Sequence, residues 1–266
     1  TGKVFEIAGK SYKRLNFERS VPTVLFEPNH LQLVTRGPDQ RREYFDELLE
    51  RTSIEFKPQA AGYRRALAQR NSLLKQGPRR AASQLFAWNV RLSELGGNVA
   101  AARQGLVDDI NKGISRTYGG IAGKRSRVKI KYASHFPAEH YSSRMLAKLE
   151  VTVDADMERG FTGYGPHRED IVFYLNDQPV SETASRGETR SLVLALKIFE
   201  LKLVEKIRQT PAIFLLDDVF SELDGARRRA LVDYLNDRQV IITTTDADAV
   251  MEYFASGGQN VIPITK

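Results

Sequence analysis

Residues 211–224 read Pro-Ala-Ile-Phe-Leu-Leu-Asp-Asp-Val-Phe-Ser-Glu-Leu-Asp. From Ala212 to Leu216 the run is apolar without a break, the pattern of a strand covered on both faces of a sheet. It ends in two adjacent carboxylates, Asp217 and Asp218. Acids at the end of a buried strand face the crevice where open α/β sheets bind ligands. One such oxygen can hold Mg²⁺, and its neighbour can orient an attacking water. Glu222 and Asp224 follow closely and strengthen that reading. The competing reading is that Asp ends the strand because it starts turns and caps helices.

A second motif lies upstream. Thr183-Ala184-Ser185-Arg186-Gly187-Glu188 precedes a stretch, Thr189 to Ile207, that reads as a long helix. The stretch is almost wholly apolar from Leu192 to Leu196, and a helix apolar on most sides is a buried one. Ser185 and Gly187 then sit at its N-terminus, where free N–H groups and the positive dipole end suit phosphate. Taken alone, the motif also reads as an ordinary Ser/Gly cap.

Together the two motifs resemble the signature loop and the Walker B strand with D-loop (Ser221 to Asp224) of ATP-binding-cassette-type ATPases. Further stretches narrow the likeness: Phe26-Glu27-Pro28; Gly37-Pro38 with Arg41-Arg42 and Tyr44-Phe45-Asp46; Gln69-Arg70-Asn71; and Gly163-Tyr164-Gly165-Pro166-His167-Arg168-Glu169-Asp170. In family order and over almost the whole chain, these resemble the RecF family of bacterial recombinational-repair ATPases, relatives of the SMC proteins. The resemblance implies an α/β fold, the C-terminal part of an ABC-type ATPase head with an inserted helical arm. It implies a β-rich end of a first lobe at 1–37, a helical second lobe at 38–160 and a C-terminal ATPase subdomain at 161–266.

The same resemblance assigns roles. Asp217 is the Mg²⁺ residue, and Asp217 with Asp218 forms the catalytic pair. Ser185, Arg186, Gly187 and Glu188 meet the nucleotide of a second head, and Ser221 and Asp224 belong to the D-loop. The cofactors implied are ATP and Mg²⁺. The partners implied are DNA, at junctions of double and single strand, RecR and RecO, and a second copy joined by ATP, acting to support RecA loading. Three positions depart from the pattern. Asp218 stands where most such heads have Glu, which implies slow hydrolysis, and the family resemblance implies a DNA-dependent ATPase. Glu27 stands where related heads have Gln, and Thr245-Asp246 where a His is common.

A P-loop needs G-x-x-x-x-G-K-[ST]. Gly9-Lys10-Ser11 is the one candidate, and the position of its first Gly is Val4. The flanks read as a hairpin, Val4 to Ile7, Ala8-Gly9, then Lys10 to Lys13. The expectation is therefore a chain without its Walker A segment and, by itself, without ATP binding.

The composition fits this picture. The chain has 266 residues and a net charge of +7, which favours polyanionic partners. With no cysteine, disulfides and thiolate metal sites are excluded. Neither a signal pattern nor a membrane span is evident, and a cytoplasmic location is expected. Between Pro38 and Thr117 the pattern is helical. Tyr44, Phe45, Leu48 and Leu49 share one face, and Tyr63, Leu67, Leu73 and Leu74 another. Gly77-Pro78 breaks the chain, and Leu85, Trp88, Leu92 and Leu95 mark a third helix that Gly96-Gly97 is expected to kink. Val128 to Tyr132 alternates like a half-exposed strand. Tyr141 to Met157 reads as one helix with Leu146, Leu149 and Val153 inward. Strands are expected at 171–175, 213–216, 240–244 and 261–264.

His167 reads as a buried, hydrogen-bonded side chain. Lys124, Arg125, Arg127 and Lys129, continued by Lys131, are candidate DNA contacts. Arg79-Arg80 and Arg227-Arg228-Arg229 are further basic runs that equally suit a solvated face. Two other functions compete: a Mg²⁺-dependent phosphodiesterase built on Asp217, Asp218, Glu222 and Asp224, and a nucleotide-free DNA- or protein-binding module.

Overall fold

A computed structural model describes residues 3–13, 20–235, 238–245, 250–253, 260 and 262, with the side chains of 78–83 set aside. The chain forms two compact units. One gathers residues 1–33, 114–126 and 183–266; the other gathers 34–113 and 127–182. The units interleave along the chain, whereas the division 1–37, 38–160 and 161–266 runs in sequence order. In particular, residues 161–182 pack with the helical unit and 114–126 with the unit that holds the parallel sheet.

The first unit holds the decisive strand. β1 (Phe5–Ile7) and β2 (Lys10–Tyr12) pair antiparallel around Ala8 and Gly9, both at positive φ (49° and 74°). Two positive φ values in a two-residue connection are what a type I′ hairpin demands. Gly9-Lys10-Ser11 is thus a turn and strand. β3 (Thr23–Phe26), β7 (Ile213–Asp217) and β8 (Val240–Thr243) form a parallel sheet with β7 central. Phe26 pairs with Leu216, and Asp217 with Thr243, so the strands share one C-terminal edge. α8 (Arg186–Arg208) is buried along most of its length, as its apolar run requires. It carries a buried ion pair, Lys197–Glu200 at 3.0 Å, whose ammonium also donates to the Leu25 carbonyl at 2.9 Å. α4 (Ile114–Ala122) and α9 (Gly225–Leu235) pack against α8.

The second unit is the helical arm. α1 (Pro38–Thr52), α2 (Phe56–Lys75) and α3 (Pro78–Asn111) follow one another, with Gly77 at positive φ just before Pro78. Pro at the first helical position costs nothing, because that N–H has no intrahelical partner. Tyr44, Phe45, Leu48 and Leu49 are all buried. α3 runs on through Gly96-Gly97, which serve close packing: a Cβ at Gly96 would lie 2.8 Å from Met145 Sδ, and one at Gly97 would overlap the Ser142 hydroxyl.

The expected helix from Tyr141 to Met157 is two helices, α5 (Tyr141–Val151) and α6 (Val153–Arg159), which meet at Thr152. Leu149 faces inward as expected, with Tyr141 and Met145 spaced four apart beside it on the side facing α3; Leu146 is half-buried, and Val153, at the head of α6, packs against the Leu73, Leu74 and Leu85 cluster. β4 (Val128–Ala133) alternates as expected and pairs antiparallel with β5 (Asp170–Leu175), which pairs with β6 (Gln178–Pro179). Of the strand expected at 261–264, all but Ile262 lies outside the described residues, as do the side chains of Arg79 and Arg80.

Candidate functional site

The chemistry-bearing residues of the first unit converge at the C-terminal edge of β7. Asp217, the last residue of the strand, is exposed and accepts from Thr243 Oγ1 at 2.5 Å. Asp218 leaves the sheet at φ 49°, a left-handed conformation that Asp tolerates better than most residues. Its N–H donates to the Thr243 carbonyl (3.1 Å) and hydroxyl (3.2 Å). Its carbonyl and carboxylate accept from Ser221 Oγ at 2.8 and 3.1 Å. Thr243 thus sets the angle of both acids. It gave no signal in the sequence beyond a polar residue ending a strand.

From Val219 onward the chain turns tightly, anchored by buried Val219, Phe220 and Leu223. Ser221, Glu222 and Asp224 point outward and are exposed. Asp224 caps α9 by accepting from the Arg227 N–H at 3.0 Å. The four acids do not form one cation cage. Asp217 is bound by Thr243, Asp218 by Ser221, Glu222 by Arg190 at 2.6 Å, and Asp224 by Arg227. Among the described residues no group of three or more His, Cys, Asp or Glu could hold a metal ion. The phosphodiesterase reading, which needs the four carboxylates to act together, loses its support here. Mg²⁺ chemistry at this edge would rest on Asp217, with its exposed oxygens and a further ligand from a bound phosphate.

At the head of α8, Ser185 is the N-cap. Its Oγ accepts from the Glu188 N–H at 3.3 Å, and Glu188 Oε2 accepts from the Ser185 N–H at 3.0 Å. This reciprocal capping box satisfies two of the helix's orphan donors. Lys124 Nζ donates to Glu188 Oε1 at 2.8 Å. The Lys124 ammonium and the Ser185 donors hold the Glu188 carboxyl down to about 2. Arg186 is exposed beside it, and its N–H and that of Gly187 fall in the first turn, where a helix offers no acceptor. The capping reading and the anion-site reading of this motif are compatible, because the box uses only part of the available donors.

The other predicted residues take the following places. Lys124 and Arg127 are in exposed ion pairs, with Glu188 and with Asp177 at 3.2 Å. Arg125 and Lys129 are exposed, the latter with Lys131 on the outward face of β4. Glu27 precedes the short 3-10 helix Pro28–Gln32, and its N–H donates to His30 Nδ1 at 3.1 Å. Asp246 lies outside the described residues.

In the second unit the Gly163–Asp170 loop is pinned rather than open. His167 Nδ1 lies 2.6 Å from Tyr63 Oη and Nε2 3.0 Å from the Thr162 carbonyl. A carbonyl only accepts, so Nε2 carries the proton and Nδ1 accepts from Tyr63. Burial lowers the His167 pKa to about 4. Glu169 is buried and accepts from Tyr132, from Tyr141 (2.8 Å) and from the His135 N–H (2.9 Å). Asp170 forms a two-bonded pair with Arg41 at 2.8 and 2.7 Å. These residues build the arm.

Among the described residues no helix is long and apolar enough to cross a membrane. A scan against protein-family models finds no match. The chain is 34% identical over 257 residues to the DNA replication and repair protein RecF of Geobacter metallireducens, covering 94% of this chain and 70% of that protein. It is 35% identical over 252 residues to the RecF of Geotalea uraniireducens, covering 92% and 68%. It thus spans about two thirds of the length of the curated relatives it matches. Two solved structures of the recombination mediator protein RecF in the RecFOR pathway, one as RecF-ATPrS and one as RecF-ATP, align with TM-scores of 0.80 and 0.79. Both are 25% identical, and each alignment covers 92% of this chain and 68% of theirs. The mixed helix-and-sheet architecture is that of an ABC-type ATPase head, and the chain belongs to the RecF family of DNA replication and repair proteins.

Proposed function

We propose that this chain is the signature-bearing part of an ATP-switched DNA clamp that acts in repair of gaps and stalled replication forks in the cytoplasm. The observation that carries the reading is that, within one compact unit, the first turns of the Ser185-capped helix are tied by Arg190–Glu222 and by Arg227 to the turn that follows Asp217 and Asp218. In this reading two copies join around ATP. Ser185 and the N–H groups of Arg186 and Gly187 meet the phosphates held by the partner copy, with Glu188 fixing the loop. Asp217 holds Mg²⁺, Asp218 orients the attacking water, and Ser221 and Asp224 line the dimer seam. ATP supplies the charge that joins the heads, and its slow hydrolysis releases them. Junctions of double- and single-stranded DNA are the substrate. In this reading RecR and RecO are the partners through which RecA is loaded; the RecFOR pathway named for the similar solved structures supports it. Exposed Arg125, Lys129 and Lys131 are the candidate phosphate contacts, together with Lys124 and Arg127 when their ion pairs open. Contacts of that kind make DNA binding fall steeply with salt.

The test is Ser185→Arg in the full-length protein. A bulky side chain at the cap removes a phosphate contact, a loss on the order of 1.5–3 kcal/mol. ATP-driven dimerisation should fall while ATP binding by the separate subunit stays nearly intact. Sedimentation with and without ATP measures both, and unchanged dimerisation defeats the assignment.

A further inference from the structure

Arg227 joins the two segments that the proposed function places at the dimer seam. Its Nη2 donates to the Gly187 carbonyl at 2.8 Å, and its Nε to Ser191 Oγ at 2.8 Å. Its Nη1 is paired with the Asp224 carboxylate, and its own N–H caps on the same acid. The side chain is only 17% exposed. A planar guanidinium suits this work because its donors leave in fixed directions, so one side chain fixes the first turn of α8 against the Asp218–Asp224 turn. A second tie, Arg190 to Glu222 at 2.6 Å, runs between the same two segments.

Gly187 takes on a new meaning beside this arginine. Its φ is not positive, and it lies in the first turn of a helix, where Ala is the better helix former. Backbone freedom is therefore not what the position asks for. A Cβ there would lie 2.9 Å from Arg227 Nη2 and 3.6 Å from its Cζ. The guanidinium cannot yield cheaply, because its other donors are committed to Ser191 and Asp224.

We propose that Arg227 is a positioning residue that locks the Asp218–Asp224 turn to the head of α8, and that the missing side chain at Gly187 makes room for Arg227. By bonding the Gly187 carbonyl, Arg227 fixes the first turn of α8 and with it the N–H groups of that turn. The inference rests on the proposed function for its consequence, and on the geometry alone for the Arg227–Gly187 coupling.

A double-substitution cycle separates the two. Gly187→Ala, Arg227→Ala and the double variant are first compared by urea unfolding of the 266-residue chain, without nucleotide. Gly187→Ala should lower the midpoint when Arg227 is present and leave it level or raise it when Arg227 is Ala. Equal losses in both backgrounds overturn the coupling. Arg227→Met, which keeps the aliphatic stem, replaces Arg227→Ala if that variant does not fold. In the full-length protein, Arg227→Ala should weaken ATP-driven dimerisation about tenfold or more, with ATP binding by the separate subunit little changed. Arg227→Lys should not restore dimerisation, since an ammonium cannot span three acceptors in fixed directions. Wild-type dimerisation with an undiminished Arg227→Ala variant overturns the positioning role. Absence of ATP-driven dimerisation in the wild type defeats the proposed function instead, and leaves the unfolding cycle to decide the coupling.

Discussion

Arg70 sits at zero exposure and still bears a charge. Its Nη1 donates to Asp156 Oδ2 and to Thr162 Oγ1, both at 2.8 Å, and its Nε donates to Asn89 Oδ1 at 2.7 Å. Burial pushes this guanidinium down from its ordinary range, and Asp156 opposes the shift. Removing Arg70 leaves the buried Asp156 carboxylate to Arg159 and the Gly163 N–H, both at 3.0 Å, so the loss falls at or below about 3–5 kcal/mol, the cost of a broken buried pair. Arg70→Met should lower urea stability by that order, and Arg70→Met with Asp156→Leu should lose less than Arg70→Met alone. The half-buried histidines add a pH dependence. Desolvation lowers both His30 and His167 from 6.5 to about 4 in the folded chain. As pH falls below 6.5, the unfolded chain takes up protons that the folded chain refuses, so stability drops until about pH 4 and then levels. His167→Gln, a neutral side chain that keeps an amide donor and acceptor, should flatten part of that slope, as read from unfolding midpoints across pH 4 to 7.

At the scale of elements, the loop from Gly163 to Asp170 is held in the arm by Arg103, Arg41 and Tyr63. Arg103 bonds the Pro166 carbonyl at 2.7 Å and pairs twice with Asp46, at 2.8 and 2.9 Å. Gly165 stands at φ 130°, where L side chains are strained, and a Cβ there would lie 2.7 Å from Tyr63 Oη and 2.8 Å from Met145 Cε. Strain and overpacking add at this site. Gly165→Ala should cost roughly 2–4 kcal/mol by chemical denaturation. A loss under about 0.5 kcal/mol, the range of a plain surface change, would show that the loop moves freely.

For the whole molecule, the hairpin at Ala8-Gly9 bears on how the chain by itself meets nucleotide. Phosphates are cradled by successive backbone N–H groups and a P-loop Lys, and Lys10 is instead a paired strand residue. A signature helix contributes only to nucleotide already held elsewhere. The 266-residue chain should therefore bind ATP no better than millimolar, about −4 kcal/mol. Calorimetry checks this. Tighter binding would reveal a phosphate site that Gly9-Lys10-Ser11 does not provide.

Local pattern determined much of this protein. The apolar run at 212–216 became the central parallel strand, the Ser185-x-x-Glu188 spacing became a capping box, and two residues at a tight turn became a hairpin. Each depends on neighbours within a few positions, where period and propensity act directly. The tertiary structure alone decided the rest. It gave Asp217, Asp218, Glu222 and Asp224 each a partner of its own, in Thr243, Ser221, Arg190 and Arg227. It placed 161–182 with the helical arm, because β5 finds its hydrogen-bond partner in β4, some forty residues earlier. It gave Gly187, at the head of α8, a second use as the seat of an arginine forty residues away. Such pairings are set by which surfaces meet after the chain folds back, and no local rule of sequence carries that information.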